Sequence, residues 1–218
     1  MNTTDTPPAV QALAPKRVND IVRECTEAYV RNLATGYGAD RRDAVGMLAR
    51  IRRAAGKPIQ AVPDLWGLTG TEALYDQIKD PVRLERAENA VHIAVTLFAL
   101  HQQSLRDKPM HVTNGPGLGR AVRDLMAPDV IDESIRRRFV RVGTATSLTQ
   151  LAQRLRDVVT LLHNEAKPLD YAALAEQIYR WQHPVERGAV QREWGRSFHA
   201  RPRLANPAET ASTASKES

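Results

Sequence analysis

The segment from Ala87 to Ser104 constrains the fold most strongly, because it is apolar around nearly its whole helical circumference. At 100° per residue, its apolar side chains form one stripe and then cover much of the remaining surface: Leu84, Ala87, Ala90, Val91, Ile93, Ala94, Val95, Leu97, Phe98 and Leu100. A helix that is apolar on all sides is buried. Charged residues such as Arg83 and Glu88 in its first half argue against a membrane span. The sequence therefore predicts a core helix that begins at Pro81.

The other segments of the chain also have helical periodicity. Apolar residues recur at spacings of three and four in helices that we predict to begin near Val18, Asp40, Thr71, Gly117, Asp132, Ser147, Asp170 and Pro184. A single turn from Pro63 to Trp66 is predicted to dock the Trp66 side chain. Because no long alternating β-branched run occurs, the predicted fold class is all-α. We expect a multi-helix bundle around a buried central helix, with two packed helical subdomains as an alternative arrangement.

Composition divides the chain into three parts. Residues 1–15 and 201–218 are rich in small and polar residues without periodicity, so we predict a disordered N-terminal arm and a disordered C-terminal tail. Residues 16–200 are predicted to form a single all-helical domain. The N-terminus lacks the pattern of a signal peptide. One cysteine excludes an internal disulfide and is typical of a reducing compartment, so the expected location is the cytoplasm, with no membrane contact.

No pattern in the sequence is typical of a catalytic site. The six histidines form no HExxH motif, none is followed by aspartate, and no Cys–His spacing indicates a metal site. Asp129, Asp132 and Glu133 are explained by the start of a helix rather than by acid–base chemistry. Cys25 lies on the apolar stripe of the first helix, which predicts a buried, inert thiol. We therefore predict that the protein is not an enzyme and needs no metal or other cofactor.

The net charge is +6, and 25 of the 31 basic residues are arginine. Arginine presents a planar fork of donors that matches phosphate oxygens, so this composition indicates a polyanionic partner. A coding bias that replaces lysine with arginine on any solvated surface would give the same composition. The placement of the arginines therefore has to distinguish these explanations.

Two helices carry arginines on their outward surfaces. Arg52 and Arg53 project away from the apolar stripe of the second helix. The segment 136–141 contains four arginines and no acid, and like charges at i, i+4 cost about 0.2–0.5 kcal/mol. Such a cluster needs a compensating partner, which could be an intramolecular carboxylate or a phosphate; we favour phosphate.

The loop from Asn114 to Arg120 is rich in glycine, and its glycines precede a predicted helix. Glycines there could admit an anion to the backbone N–H groups, with Arg120 nearby. The sequence matches neither a P-loop nor a dinucleotide-binding motif. We favour a tight turn that packs a helix closely against its neighbour.

Aromatic residues make up only 5 % of the chain. Phe98, Phe139, Trp181 and Trp194 all fall on apolar stripes, so they are predicted to be core residues rather than stacking platforms for bases. Any nucleic-acid contact should therefore be made to the sugar–phosphate backbone.

Seven sequence blocks occur in an order that resembles the CasB family, the small subunit of the type I-E CRISPR surveillance complex Cascade. The blocks are ARIRRAAGKP at 49–58, LFALHQQS at 97–104, GLGRAVRDL at 117–125, RRRFVRVGTA at 136–145, LAQRLRDVVTLL at 151–162, PLDYAALAEQIYRWQ at 168–182 and REWGRSF at 192–198. The resemblance extends from about residue 18 to residue 198.

The resemblance implies a non-catalytic, all-helical protein of antiviral defence. Two copies would lie side by side and contact the large subunit and the repeated backbone subunit of Cascade. A basic surface would bind the target and displaced DNA strands and stabilise the R-loop, while guide RNA reads the sequence by base pairing. The basic positions of the family correspond to Arg52, Arg53, Arg120, Arg137 or Arg138, Arg156 and, just after a helix start, Arg187. The polar helix end at 101–104 is then structural.

A second function remains open from the sequence. The chain could be a purely architectural helical spacer, whose arginines pair with acidic protein surfaces. Arginines that are individually paired with Asp or Glu would favour the spacer, whereas a continuous exposed stripe would favour nucleic acid.

Overall fold

The computed structural model describes residues 16–200, and within them it contains eight α-helices and no β-strand. The helices are α1 (Val18–Gly38), α2 (Arg42–Ile51), α3 (Pro81–Gln102), α4 (Leu118–Arg123), α5 (Glu133–Gly143), α6 (Leu148–Asn164), α7 (Tyr171–Trp181) and α8 (Pro184–His199). Four 3₁₀ turns lie between α2 and α3: Arg52–Ala54, Ile59–Ala61, Pro63–Leu65 and Thr71–Leu74. The predicted all-α class is confirmed. The segments predicted to be disordered, 1–15 and 201–218, lie outside the described residues.

Helix α3 is the centre of the bundle. Between Ala87 and Gln102, every residue except Glu88 and Leu100 is buried. It packs against α1, α2, α6 and α7, so it joins the N-terminal helices to the C-terminal ones. This all-round burial is what its apolar circumference predicted. No helix within residues 16–200 combines the length and the hydropathy that a bilayer crossing requires.

Side-chain caps determine where several helices begin. The carboxylates of Asp80, Asp132 and Asp170 and the hydroxyl of Ser147 each accept a backbone N–H from the first turn of α3, α5, α7 and α6, respectively. Such caps satisfy donors that have no partner within the helix. Pro184 occupies the first turn of α8, where its missing N–H costs no hydrogen bond.

The helices share one hydrophobic core, which extends in sequence from Ile21 to Phe198. Helix α1 packs on α3 and α7, α5 packs on α6, and α4 packs on α8. The aromatic residues predicted to be core are all buried: Phe98, Phe139, Trp181 and Trp194. Phe139 of α5 stacks on Phe198 of α8, with ring centroids 5.1 Å apart.

Gly119 allows α4 to lie in direct backbone contact with α8. A Cβ placed on Gly119 would lie 2.1 Å from the Trp194 carbonyl oxygen and 2.2 Å from Ser197 Oγ. The preceding loop is also held internally, because the Asn114 backbone N–H donates to Asp170 Oδ2 over 3.1 Å. This geometry supports the packing interpretation of the glycine-rich loop.

The segment between α2 and α3 differs from the prediction. The helix expected from Thr71 is only a 3₁₀ turn, Thr71–Leu74. The predicted docking of Trp66 is wrong: its side chain is 63 % exposed, whereas the preceding Leu65 is buried. In this turn Leu65 takes the inward position, and Trp66 Nε1 donates to the Ile59 carbonyl across the surface.

Candidate nucleic-acid interface

Arg52 and Arg53 follow α2 on a 3₁₀ turn, and both are exposed. The inward position of the segment belongs to Ile51, which is fully buried. Arg52 donates from Nη1 to Gln103 Oε1 over 3.1 Å. Within residues 16–200, neither guanidinium forms an ion pair with a carboxylate. Their positive charge is therefore available to an external anion.

Arg156 of α6 lies against the turn that follows these two arginines. Gly56 has a φ of +80°, and a Cβ added there would lie 3.0 Å from Arg156 Cδ. Gly56 comes three residues after Arg53, a stretch of chain that spans at most about 11 Å. Arg156 is exposed and has no carboxylate partner among the described residues. We refer to Arg52, Arg53 and Arg156 as the α2–α6 arginine cluster.

The arginines of α5 divide into one paired residue and others without a carboxylate partner. Arg136 forms an ion pair with Glu133 at 3.1 Å. Arg137 donates from Nε to the backbone carbonyl of Glu133 over 3.1 Å, which leaves its charge uncompensated by any carboxylate of residues 16–200. Arg138 and Arg141 are exposed and have no ion pair within the same range. Helix α5 therefore presents three arginines whose charge no carboxylate of the described residues neutralises.

Arg120 is held by its own helix rather than presented to solvent. Its guanidinium forms a two-point ion pair with Asp124, at 2.8 Å from Nη2 and 3.1 Å from Nε. It also donates to the Ala200 carbonyl over 3.4 Å. The structure therefore places this predicted site residue in an i, i+4 pair, where a phosphate would have to compete with a carboxylate.

Arg187 is engaged at the corner between α7 and α8. Its guanidinium stacks over the Trp181 ring, 4.2 Å from the centroid, and its Nε donates to the Trp181 carbonyl over 3.3 Å. A cation–π contact retains the positive charge, so Arg187 can still attract an anion. It does not belong to the α2–α6 arginine cluster.

Glu27, His111 and Asp170 form a polar cluster that no sequence spacing indicated. Because His111 Nδ1 accepts the Tyr171 backbone N–H at 3.1 Å, the neutral ring carries its proton on Nε2. Nε2 then donates to Glu27 Oε2 at 2.9 Å. Burial alone would raise the pKa of the Glu27 carboxyl, but the hydrogen bonds from Thr113 and His111 outweigh burial and lower it. The hydrogen bond between His111 and Glu27 therefore connects α1 to the loop that precedes α4.

The ligand atoms of these three side chains lie within 4.8 Å of one another, a spacing that could hold a metal ion. Their lone pairs are already in use, however. Asp170 accepts from Ala173 N–H at 2.9 Å, from Arg23 Nη2 at 2.9 Å and from Asn114 N–H at 3.1 Å. Both ring nitrogens of His111 are also engaged. We therefore interpret the cluster as a structural hydrogen-bond network between α1 and α7.

Cys25 and two histidines of α3 lie in the interior. Burial raises the pKa of the Cys25 thiol, which confirms the prediction of a buried thiol. Burial lowers the pKa of His92 and of His101 to about 4 in each case, so both rings are neutral at pH 7. His101 Nδ1 lies 2.8 Å from the Tyr171 hydroxyl, and His163 Nδ1 donates to the His101 carbonyl at 2.9 Å. The polar end of α3 is therefore structural, as predicted.

Comparison with known families identifies the chain. The family model of the CRISPR-associated protein Cse2 matches residues 47–199. That range covers more than half of the 218 residues, so the chain belongs to the Cse2 family. The resemblance to CasB proteins inferred from the ordered sequence blocks is confirmed. A search of curated proteins found no match.

Solved structures agree with this assignment. The chain is similar to the crystal structure of CasB from Thermobifida fusca, with 47 % sequence identity, a TM-score of 0.75, and coverage of 83 % of this chain and 98 % of that one. It is similar to CasB from M. ruber at 24 % identity and a TM-score of 0.56, with 89 % and 98 % covered. A chain of a CRISPR RNA-guided surveillance complex shares the fold at 19 % identity and a TM-score of 0.60, with 82 % and 93 % covered.

Proposed function

We propose that this protein is a non-catalytic small subunit of a type I-E CRISPR RNA-guided surveillance complex. In this role it binds the backbone of the target and displaced DNA strands and stabilises the R-loop. Membership of the Cse2 family and the fold shared with a chain of such a complex support the proposal. The net charge of +6 is compatible with a polyanionic partner.

The α2–α6 arginine cluster is the observation that carries this proposal. Arg52 and Arg53 are exposed at the end of α2, and the stem of exposed Arg156 on α6 lies against Gly56, three residues after Arg53. No carboxylate of residues 16–200 is paired with any of the three. Holding uncompensated like charges together is unfavourable unless an external anion neutralises them. A sugar–phosphate backbone supplies regularly spaced anionic oxygens that match the guanidinium fork.

Helix α5 extends the proposed interface. Arg137 and Arg138 are exposed and lack carboxylate partners within the described residues, so we assign them to the same role. The nucleic-acid contacts predicted for Arg120 and Arg187 remain predictions, since Asp124 and Trp181 already engage these two side chains.

The proposed assembly includes several partners and one location. We propose that the protein acts in the cytoplasm beside a second copy of itself, the large subunit and the repeated backbone subunit of Cascade, with guide RNA and target DNA as its nucleic-acid partners. We also propose that residues 16–200 form a single domain, which the continuous hydrophobic core supports.

Salt dependence of DNA binding by the assembled complex tests the proposal. We expect weaker salt dependence from the triple variant Arg52→Gln/Arg53→Gln/Arg156→Gln. The negative slope of log affinity against log salt concentration should become shallower by about 2 to 3, because each neutralised phosphate contributes about 0.7–0.9 to its magnitude. Glutamine keeps much of the side-chain length and polarity while removing the charge. Affinity for a target duplex should be measured at several salt concentrations for the wild type and the variant.

Arg41→Gln is a matched control, because Arg41 is exposed but already paired with Asp43 at 2.8 Å. Its slope should equal that of the wild type. If the triple variant assembles normally and its slope and affinity are unchanged, the arginines do not contact phosphate. The architectural spacer, in which they pair with acidic protein surfaces, would then be the better description.

A further inference from the structure

A cavity of about 370 Å³ lies where the beginnings of α3 and α8 meet the end of α7. Val82 and Arg86 line it from α3, Trp181 and Gln182 from the end of α7, and Arg187 from α8. Gln182 Nε2 donates to the Arg86 carbonyl at 2.8 Å, which fixes the end of α7 against α3. Leu148 adds the first residue of α6, so four helices contribute to the lining.

Trp181 contributes a nearly buried indole ring to this lining. The residue is 1 % exposed, and its Nε1 has no acceptor within the described part of the chain. Trp194, by contrast, donates its Nε1 to Gln177 Oε1 at 2.7 Å. Nε1 is itself buried, so the indole contributes its ring, on which Arg187 stacks, to the lining rather than a donor that another molecule could reach.

Positive charge predominates around the cavity. Arg187 stacks on Trp181, and neither it nor Arg86 has a carboxylate partner among residues 16–200. Helices α3 and α8, which are 22 and 16 residues long, both begin beside the cavity, and the positive end of a helix dipole favours an anion. Glu85 is the acidic residue of the lining, and Asp80 caps α3. The arrangement therefore favours an anionic group with acceptor oxygens.

The surface around the cavity is apolar as well as basic. Both helices begin with the dipeptide Pro-Val, and the two valines are unusually exposed, at 56 % for Val82 and 83 % for Val185. Exposed aliphatic side chains combined with arginine and tryptophan are typical of protein–protein interfaces. They offer nothing to a sugar–phosphate backbone. The chemistry of the rim therefore favours a protein partner.

We propose that this cavity is a docking site for an acidic side chain, an aspartate or glutamate flanked by apolar residues, on another protein. The carboxylate would accept from the guanidinium groups of Arg86 and of Arg187, which stacks on the Trp181 ring. The flanking apolar residues would cover Val82 and Val185. The proposal goes beyond nucleic-acid binding, because it assigns Arg187 to a carboxylate of a protein rather than to a phosphate.

Indole N–H resonances of the ¹⁵N-labelled full-length chain test the site directly. The probe is the blocked peptide acetyl-Val-Glu-Val-amide, and its matched control is acetyl-Val-Gln-Val-amide. We expect saturable movement of the Trp181 resonance with the glutamate peptide only, and a constant Trp194 resonance. Arg187→Gln and Arg86→Gln should each weaken peptide binding by about tenfold, the loss expected for one charge-assisted hydrogen bond. The Trp194 resonance reports whether each variant is folded.

Two results in this titration would overturn the proposal. One is a Trp181 resonance that does not move up to the solubility limit of the glutamate peptide. The other is equal movement with both peptides, because the carboxylate would then have no role. Oligothymidine is added as a separate probe, and movement of the Trp181 resonance by oligothymidine but not by the peptide would assign the cavity to phosphate instead.

Photo-crosslinking in the assembled complex identifies the partner. A benzophenone residue in place of Val185 should crosslink to a protein segment that contains an aspartate or glutamate between apolar residues, and Arg187→Gln should reduce the yield. The same residue in place of Val140, which is 48 % exposed on α5, is the positional control. Crosslinks from position 185 to nucleic acid, or a yield independent of Arg187, would contradict the proposal. The crosslinking experiment rests on the proposed function, because it requires the chain to enter the complex. Failure to enter the complex would refute that function. The peptide titration uses the isolated chain and would still decide whether the docking site exists.

Discussion

Arg23 and Arg180, which pack around α7, form ion pairs within the chain. The members of the α2–α6 arginine cluster, by contrast, are exposed and have no carboxylate partner among the described residues. Arg180 of α7 is within 3.1–3.2 Å of three carboxylates, those of Glu176, Glu186 and Glu193. Arg23 of α1 pairs with the buried Asp170 at 2.9 Å. These guanidinium groups contribute to the fold, and they have little remaining capacity for an external anion.

The difference shows that arginine content alone does not locate a binding surface. Arg180 and Arg53 are the same residue type, but only Arg180 lies beside acids that burial would otherwise destabilise. Burial raises the pKa of the Glu176 carboxyl, and Arg180 opposes this increase. The surface available to phosphate is therefore the set of arginines whose neighbours are apolar or backbone groups rather than carboxylates.

The largest expected effect on stability comes from Arg180→Gln. It should lower the free energy of unfolding by about 2 kcal/mol, because Glu176 would lose its compensating charge in a half-buried position. Arg53→Gln is the matched surface variant and should change stability by less than about 0.5 kcal/mol. Urea denaturation of both variants measures the difference. Equal losses of unfolding free energy in the two variants would show that the paired Arg180 and the unpaired Arg53 do not differ in their contribution to the fold.

A smaller effect, which depends on pH, is expected from Glu27→Gln. Hydrogen bonds hold the pKa of Glu27 below its ordinary value of 4.5, so the ionised side chain stabilises the fold above that pH. The variant should be less stable than the wild type by about 1 kcal/mol at neutral pH. The difference in unfolding free energy between wild type and variant should decrease as the pH falls below 4.5 and through the lower pKa that Glu27 has in the folded state. Unfolding free energies measured from pH 7 downwards check this.

Glu176→Gln is a control for the same measurement, because the pKa of Glu176 is shifted in the direction opposite to that of Glu27. Burial raises the pKa of Glu176 in the folded state, so any stability that its protonated form contributes is lost as the pH rises through that pKa. A gap between wild type and Glu27→Gln that stays constant with pH would contradict the proposed hydrogen-bond network.

Arg120→Gln should have a modest effect on stability, about 0.5 kcal/mol, since it removes one partly exposed i, i+4 ion pair. If Arg120 also contacts phosphate, the salt slope of DNA binding will decrease in addition. Thermal unfolding of the chain and salt titration of the complex separate these two roles. A stability loss with an unchanged salt slope would assign Arg120 to the fold alone.

The smallest change in stability is expected from Arg137→Gln. Removing Arg137 relieves about 0.2–0.5 kcal/mol of repulsion from Arg141 at i, i+4, and this gain offsets the loss of the exposed hydrogen bond from Arg137 Nε to the Glu133 carbonyl. The same variant should reduce the salt slope of DNA binding by about 0.7–0.9. Arg136→Gln is the control, because Arg136 is already paired with Glu133. A loss of stability without a change in slope would indicate an internal role for Arg137.

Much of the fold could be predicted because helical periodicity and caps are local properties of the sequence. The all-round burial of α3 and the caps at Ser147 and Asp170 follow from residues within a few positions of one another. The segment between α2 and α3 was harder to predict, because short 3₁₀ turns are too brief to show a periodic pattern of apolar residues. There the adjacent Leu65 and Trp66 compete for one inward position, and only tertiary packing decides between them.

Only part of the candidate site has a local signal in the sequence, for a related reason. An acid-free run on α5 indicates unpaired charge from sequence alone, and Asp124 could have been recognised as an i, i+4 partner for Arg120. The stacking of Arg187 on Trp181 depends on the corner between two helices, and the approach of Arg156 to Gly56 joins distant segments. Neither contact has a local sequence pattern.

The contact between Gly56 and Arg156 has a consequence for how the arginine surface responds to its surroundings. The aliphatic stem of Arg156, rather than its charge, rests against Gly56, so uncharged atoms hold the base of this side chain at the turn. Dissolved ions weaken attraction between exposed charges but do not loosen van der Waals packing. The point at which Arg156 leaves the surface should therefore be the same in dilute and concentrated buffer. A change as small as an added methyl group at Gly56 would displace the stem of Arg156 without altering the charge of the protein.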